Sequence, residues 1–260
     1  MGAFWKECNA RSDAQKLELP HRECMARRMP EARARDLAMA NKAGLDRPMN
    51  VPQLMRAVYG DEPKRQPALI VMLRRPWERM HAAYYNYQQY GKRFGSHAEG
   101  EATWAAEAVG AFRRCASNFT VDDCALRFES LARENEEVFY HCDQLIKGMY
   151  SVFLPAWRAQ HQRLLALRSE DYFASPRRVL ERAMAHIGLP PPTDEAGWAP
   201  LLDGRRTIHG TRPAAGTPPM APATVAMLKE FYAPSLTRLT EQLADVEDAA
   251  EWRRWARDGA

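Results

Sequence analysis

The stretch ALIVMLRRPWERMHAAYYNY, residues 68–87, governs how the rest of the chain is read. It opens on an unbroken apolar run, Ala68 to Leu73, preceded by the turn-forming DEPKRQP. A short, wholly apolar run bounded by turn chemistry predicts a parallel strand buried on both faces. Arg74 and Arg75 follow at its carboxyl end. Pro76 then stands where a helix starts, a position that tolerates its missing N–H. In open α/β sheets, ligands bind outside the carboxyl ends of the strands. The N-terminus of the following helix offers unpaired N–H groups and partial positive charge to an anion. An arginine there adds a planar fork suited to phosphate or sulfate. A second reading stands beside this one: an arginine at a strand exit can simply pair with a nearby carboxylate such as Glu78.

Working outward, LLALRS (164–169) reads as a second strand, with Glu170 and Asp171 at its exit. Two acids there fit a general acid–base pair. More often such a pair satisfies backbone N–H groups and basic side chains beside a sheet. PRRVLERAMAHIGL follows as helix, with Ser175 as N-cap, Pro176 in the first turn and Gly188 as the stop. Further helices are predicted over 51–60, from Trp77 through Tyr90, over 99–116, over LRFESLARENEEVFYH, and over 143–161 with a kink at Pro155. The last helix, PATVAMLKEFYAPSLTRLTEQLA, aligns Leu228, Phe231, Leu239 and Leu243 on one face, and a Gly/Pro/Arg loop from Asp203 to Pro219 precedes it. Strand–helix alternation predicts an α/β fold with a short parallel sheet flanked by helices. Residues 1–50 read as a helical or irregular N-terminal segment, 51–245 as the main domain and 246–260 as a charged C-terminal tail. Two strands are few for a domain of this size.

The bulk composition narrows the function classes. The chain has 260 residues, is 46% hydrophobic and 27% charged, and carries a net charge of +4. That suits a globular domain with a sizeable core rather than a disordered chain. Its basic residues are interleaved with acids and form no block, which argues against nucleic acid. No run approaches the roughly 18 apolar residues of a membrane span, and no signal-peptide h-region opens the chain. The absence of GxxxxGK[ST] argues against a P-loop kinase.

The cysteines are Cys8, Cys24, Cys115, Cys124 and Cys142, none at zinc-site spacing, so no metal is expected. Cys115 and Cys124 enclose the polar loop ASNFTVDD, in which Asn118-Phe119-Thr120 is an N-glycosylation sequon. A disulfide-clipped, glycosylated loop and two free thiols with a chance sequon are both open on the residues alone.

The opening stretch resembles the 3′-phosphate-binding strand–turn–helix of the Golgi carbohydrate sulfotransferases, whose pattern is similar to LIVxLRDPxERxxSxY. Arg74, Pro76, Glu78, Arg79 and Tyr84 match its spacing. Further features agree in order over roughly residues 50–245. They are the Cys115–Cys124 pair, GMYSVFLPAW (148–157) for a G-x-Y-x-x-x-L-x-x-W helix, LLALRSEDYFASP, a helix ending in GLP, and a basic loop leading into PPM and FYAP. The subgroup it looks most like is that of N-acetylgalactosamine 4-sulfate 6-O-sulfotransferase. The resemblance implies a P-loop-NTPase-like sulfotransferase fold, 3′-phosphoadenosine 5′-phosphosulfate as sulfuryl donor, and a carbohydrate acceptor such as a sulfated glycosaminoglycan. It also implies a Golgi-lumenal setting, with membrane attachment only through an anchor that this sequence does not contain. Arg74 would hold the donor's 3′-phosphate. The loop GRRTIHGTRPAAG would close over the nucleotide, with Arg212 the foremost contact and Arg205 and Arg206 behind it. A lumenal setting favours the Cys115–Cys124 disulfide and a glycan on Asn118.

The sequence departs from the family at identifiable places. Ala82 stands where the pattern has serine, removing a hydroxyl contact to the phosphate that is worth on the order of 1.5–3 kcal/mol. Arg75 replaces an aspartate and adds positive charge. A first strand with a PKCGTT-like phosphosulfate loop has no counterpart, nor has the acidic residue that activates the acceptor. Lys6 and Glu7 in FWKEC do not match its placement, so no catalytic residue is assigned. The expectation is therefore a partial sulfotransferase domain, or a diverged member that binds nucleotide or glycan without turnover.

Overall fold

A computed structural model describes residues 51–60, 62, 65–126, 142–203 and 216–257. The chain divides into two compact units, Met1–Pro67 with Glu129–Glu136, and Ala68–Phe128 with Glu137–Ala260. In the first unit, the described residues form one helix, α1 (Val51–Tyr59), which ends at Gly60 as its sequence predicts. Everything below concerns the second unit.

Its sheet consists of β1 (Leu69–Leu73) and β2 (Leu164–Arg168), paired in parallel with Leu73 opposite Arg168. Between the strands run α2 (Pro76–Asn86), α3 (Gln88–Phe94), α4 (Ala98–Ala116), α5 (Val121–Leu126) and α6 (Tyr150–Gln160). After β2 come α7 (Ser169–Ala174), α8 (Pro176–Ile187), α9 (Glu195–Leu202), α10 (Pro222–Gln242) and α11 (Ala249–Arg257). The described residues are thus mostly helical around a two-stranded parallel sheet.

Strand periodicity puts Val71, Leu73 and Ala166 on one face, where they join a core built on Met80, Tyr84, Phe112, Ile146, Leu228 and Tyr232. Leu228, Leu239 and Leu243 are buried on α10 as their spacing predicts, and Phe231 meets Phe112 edge-on at 5.3 Å. The opposite face carries Ile70, Met72 and Leu167. Leu167 is buried, but Ile70 is 42% and Met72 49% exposed. The expectation that residues 68–73 are buried on both faces is corrected here. β1 is covered on its core side only, so its burial alternates even though its sequence is uniformly apolar.

Local chemistry sets the helix ends. Gly188 takes the left-handed conformation (φ 77°) that stops α8, where a side chain would be strained. α6 runs through Pro155, which has no N–H to give the carbonyl of Ser151 four residues back. That carbonyl instead accepts from Gln242 Nε2 at 2.9 Å, which ties α6 to the end of α10. Arg238 extends the same seam, with a bidentate pair to Asp122 at 2.7 and 2.9 Å and a bond to Ser151 Oγ at 3.1 Å. EAGWAPLL forms α9 after the Pro190–Pro192 break. Asp194 caps it by accepting from Gly197 N–H, and Trp198 anchors it in the interior.

The residues read as a charged tail behave differently. Positions 249–257 are helical and bury Trp252 and Trp255, which are one helical turn apart. Glu251 on this helix and Asp248 just before it reach Arg168 at the end of β2. Arg168 is 2% exposed and bonds Asp171 (2.7 Å from Nε) and Glu251, with Asp248 at 3.5 Å. Its guanidinium lies 5.0 Å from the Trp252 ring. Arg182 reaches Asp248 at 3.1 Å from α8. A buried arginine this far from water needs such partners, because an unpaired charge there would be prohibitive.

No helix among the described residues is long and apolar enough to cross a membrane. Replacing Arg168 with methionine leaves three carboxylates without their shared cation. We expect a loss of about 1.5–3 kcal/mol of stability, read from urea unfolding, as for charge-assisted hydrogen bonds. Glu230→Gln breaks an exposed pair with Arg113 and should change the midpoint little.

Candidate functional site

The ladder of β1 ends at Leu73, and α2 begins at Pro76 with Arg75 as its N-cap residue. The peptide unit joining Arg74 and Arg75 must find partners outside both elements. The Tyr150 hydroxyl donates to the carbonyl of Arg74 at 2.8 Å and accepts from its N–H at 3.4 Å. The N–H of Arg75 donates to Glu170 Oε1 at 2.8 Å, and the other oxygen of Glu170 accepts from Trp255 Nε1 at 3.0 Å. Of the N–H groups at the start of α2, helix geometry leaves those of Trp77 and Glu78 without intrahelical partners, since Pro76 has none.

From this braced turn project two guanidinium groups. The Arg74 side chain is 20% exposed and lies 3.7 Å from Glu78; that of Arg75 is 29% exposed and lies 3.4 Å from the same carboxylate. Both readings of the arginine doublet thus have a place. The pairing with Glu78 exists, but it is long and open to solvent, which makes it a weak contact that an incoming dianion can displace. Two arginines beside a helix N-terminus at a strand exit are groups of the kind that can receive a phosphate or sulfate.

The remaining motif residues gather around the same turn. A Cβ on Gly148 would stand 2.9 Å from Pro76 Cβ and 2.8 Å from the Tyr232 hydroxyl, so only glycine admits this approach. Tyr232, from FYAP, donates to the carbonyl of Leu145 at 2.7 Å. Arg79 is spent on Gln144, bonding its side chain at 3.0 Å and also its carbonyl, and so braces the segment leading to Gly148. Tyr84 packs with Trp104 and Tyr90 and donates to Gly95 O, which is a structural role. Ala82 is half-buried on α2 and offers no polar atom.

Glu170 and Asp171 resolve toward the structural reading: one holds the Arg75 peptide and the indole of Trp255, the other pairs with Arg168. Arg205, Arg206 and Arg212 lie outside the described residues, as do Lys6, Glu7, Cys8 and Cys24. The Cys115–Cys124 disulfide is formed and joins the end of α4 to α5. Within its loop Asn118 is exposed, while Thr120 caps α5 by accepting from Asp123 N–H at 3.1 Å. No cluster of three metal-ligating side chains occurs among the described residues.

No family model matches the chain. Among curated proteins it is 27% identical over 188 residues to human carbohydrate sulfotransferase 15. It is 26% identical over 195 residues to the mouse protein and 25% over 195 to that of the rat. The chain is similar to carbohydrate sulfotransferases. Each match takes in 71% of this chain and 31% of the relative, so the chain spans about a third of the length of the sulfotransferases it matches. The family resemblance read from the ordered motifs is borne out by these relatives.

Three site residues had no assigned role in the sequence reading. Tyr150 sits in the G-x-Y motif, whose spacing marked the position but not its reach to Arg74. Gln144 carried no signal. Trp255 could have been found from the WxxW spacing of residues 252–255, which puts two indoles on one helical face.

Burial pushes the Tyr150 phenol above its ordinary value, against the lowering influence of Arg79 and its bond to Arg74. Tyr90 and Tyr232 are raised by burial as well, and Tyr85 is pushed up to about 12. The folded state therefore keeps these protons where unfolded tyrosines, at about 10, lose them. Stability should be constant below that value and fall as pH rises above it. Tyrosinate absorbance is expected to rise together with loss of helical circular dichroism. Titration of all tyrosines with the fold intact would contradict this.

Proposed function

We propose that this chain carries the 3′-phosphate-binding half of a carbohydrate sulfotransferase, with 3′-phosphoadenosine 5′-phosphosulfate as donor. Arg74 binds the donor's 3′-phosphate, assisted by Arg75 and the N-terminus of α2. The acceptor is a carbohydrate hydroxyl, with sulfated N-acetylgalactosamine in a glycosaminoglycan-like chain as the leading candidate, and the setting is the Golgi lumen. The observation that carries this reading is convergence. Arg74, Gly148, Tyr150 and Tyr232, which lie far apart in the sequence and belong to the ordered motifs, meet around one strand exit.

The chemistry is the in-line transfer of a sulfuryl group. An acceptor oxygen forms a bond to sulfur while the bond from sulfur to the bridging phosphate oxygen breaks. The acceptor proton leaves to a base, and 3′-phosphoadenosine 5′-phosphate departs. Catalysis of this kind rests on positioning and on charge stabilisation. The described residues supply positioning: they hold the nucleotide by its 3′-phosphate, remote from the reacting sulfur. Arg212, with Arg205 and Arg206, is proposed to close over the nucleotide. Exposed Asn118 is the proposed glycan attachment point, in keeping with a lumenal protein whose loop is clipped by a disulfide.

A second reading, nucleotide or glycan binding without turnover, is favoured by Ala82. Its methyl group removes one phosphate contact, and Glu78 already shares the two arginines. The readings separate on incubation of the chain with donor labelled in the sulfuryl group and a panel of chondroitin-type acceptors. Transfer that falls at least tenfold in Arg74→Ala, about the worth of one charge-assisted contact, supports the enzyme. Retention of nucleotide with no transfer supports the binding module. If Arg74→Ala alters neither transfer nor binding, Arg74 is not the phosphate ligand.

A further inference from the structure

The bond from Trp255 to Glu170 has no part in the sulfotransferase reading, and Trp255 lies beyond the residues that carry the motif resemblance. Glu170 occupies a particular position. One carboxylate oxygen accepts the Arg75 N–H at 2.8 Å, the other accepts the indole N–H of Trp255 at 3.0 Å. Trp255 is 5% exposed and stacks edge-on with Trp252 at 5.4 Å, which in turn lies beneath Arg168. Glu251, on the same helix, also bonds Arg168. The C-terminal helix α11 therefore grips the exits of both strands, through Glu170 at β1 and through Arg168 at β2.

We infer that Glu170 is a positioning residue for the anion cradle, and that Trp255 makes the C-terminal helix part of that cradle's framework. The inference rests on the reading of Arg74 as a phosphate ligand. The physical argument concerns the Arg75 peptide. It is the unit that joins Arg74 to Arg75, one residue before Pro76 fixes the helix start, and its orientation sets where the Arg74 side chain leaves the backbone and where the Trp77 and Glu78 N–H groups point. Tyr150 holds that unit at the Arg74 carbonyl and Glu170 holds it at the Arg75 N–H. A carboxylate with two donors on separate oxygens is fixed in its plane; one that loses the indole can rotate and take the Arg75 peptide with it. An anion site depends on such placement at the level of a few tenths of an ångström.

The test compares binding of 3′-phosphoadenosine 5′-phosphate with adenosine 5′-phosphate by calorimetry, on the full chain and on Glu170→Gln, Trp255→Phe and Arg74→Ala. The ratio of the two affinities isolates the 3′-phosphate contact from general damage to the protein. Wild type should prefer the 3′-phosphorylated nucleotide, and Arg74→Ala should abolish the preference. Glu170→Gln and Trp255→Phe should each reduce it roughly threefold to tenfold, the size of couplings carried through neighbouring groups. The double variant should lose no more than the larger single effect, because both act through one carboxylate. Trp255→Phe keeps the buried ring and carries the test alone if Glu170→Gln does not fold. A preference abolished by Arg74→Ala but untouched by Trp255→Phe, even with a lowered melting temperature, overturns this inference and leaves the function intact. A wild-type chain with no preference overturns both.

Discussion

The peptide unit joining Arg74 and Arg75 belongs to no ladder and no helix, and the rest of the site follows from how its polar groups are satisfied. The strand has ended and proline denies the helix an N–H. Tyr150 answers for the Arg74 carbonyl and Glu170 for the Arg75 N–H. Each partner must be delivered by another element. Tyr150 stands at the start of α6, which can approach because Gly148 has no side chain to strike Pro76 and Tyr232. Glu170 is delivered by α7, directly after the strand that pairs with β1. The need to satisfy two backbone groups thus gathers segments about 75 to 95 residues apart around one turn.

The same arrangement leaves positive charge facing outward. The backbone groups of the turn are satisfied internally, whereas the Arg74 and Arg75 side chains keep partial exposure and approach Glu78 at 3.7 and 3.4 Å. Arg79 and Arg168 make the contrast plain. They are committed to Gln144 and to a carboxylate cluster, and so serve the fold. Geometry thus gives arginines along one chain different surroundings, which residue type alone does not reveal.

Much of this was legible in the sequence. The apolar run and proline position located β1 and the start of α2, and motif order pointed to the sulfotransferase relatives. Where reading fell short, a tertiary cause can be named. Residues 68–73 look buried on both faces, yet Ile70 and Met72 are open because cover on that side reaches β2 and not β1. Residues 246–260 look like a charged tail, since their charges outnumber the two tryptophans. Two of those charges, Asp248 and Glu251, are partners of Arg168, a residue some 80 positions earlier, and no local pattern announces that pairing. Glu170 and Asp171 resemble a catalytic pair in one dimension and are separate structural ligands in three.

The central claim is that Arg74 receives a nucleotide 3′-phosphate at the strand exit. A crystal structure of the chain with 3′-phosphoadenosine 5′-phosphate bound tests it most directly. The account predicts the 3′-phosphate oxygens within hydrogen-bond distance of the Arg74 guanidinium and the first N–H groups of α2, with Glu78 turned away. A nucleotide seated elsewhere, with Arg74 still on Glu78, would contradict it.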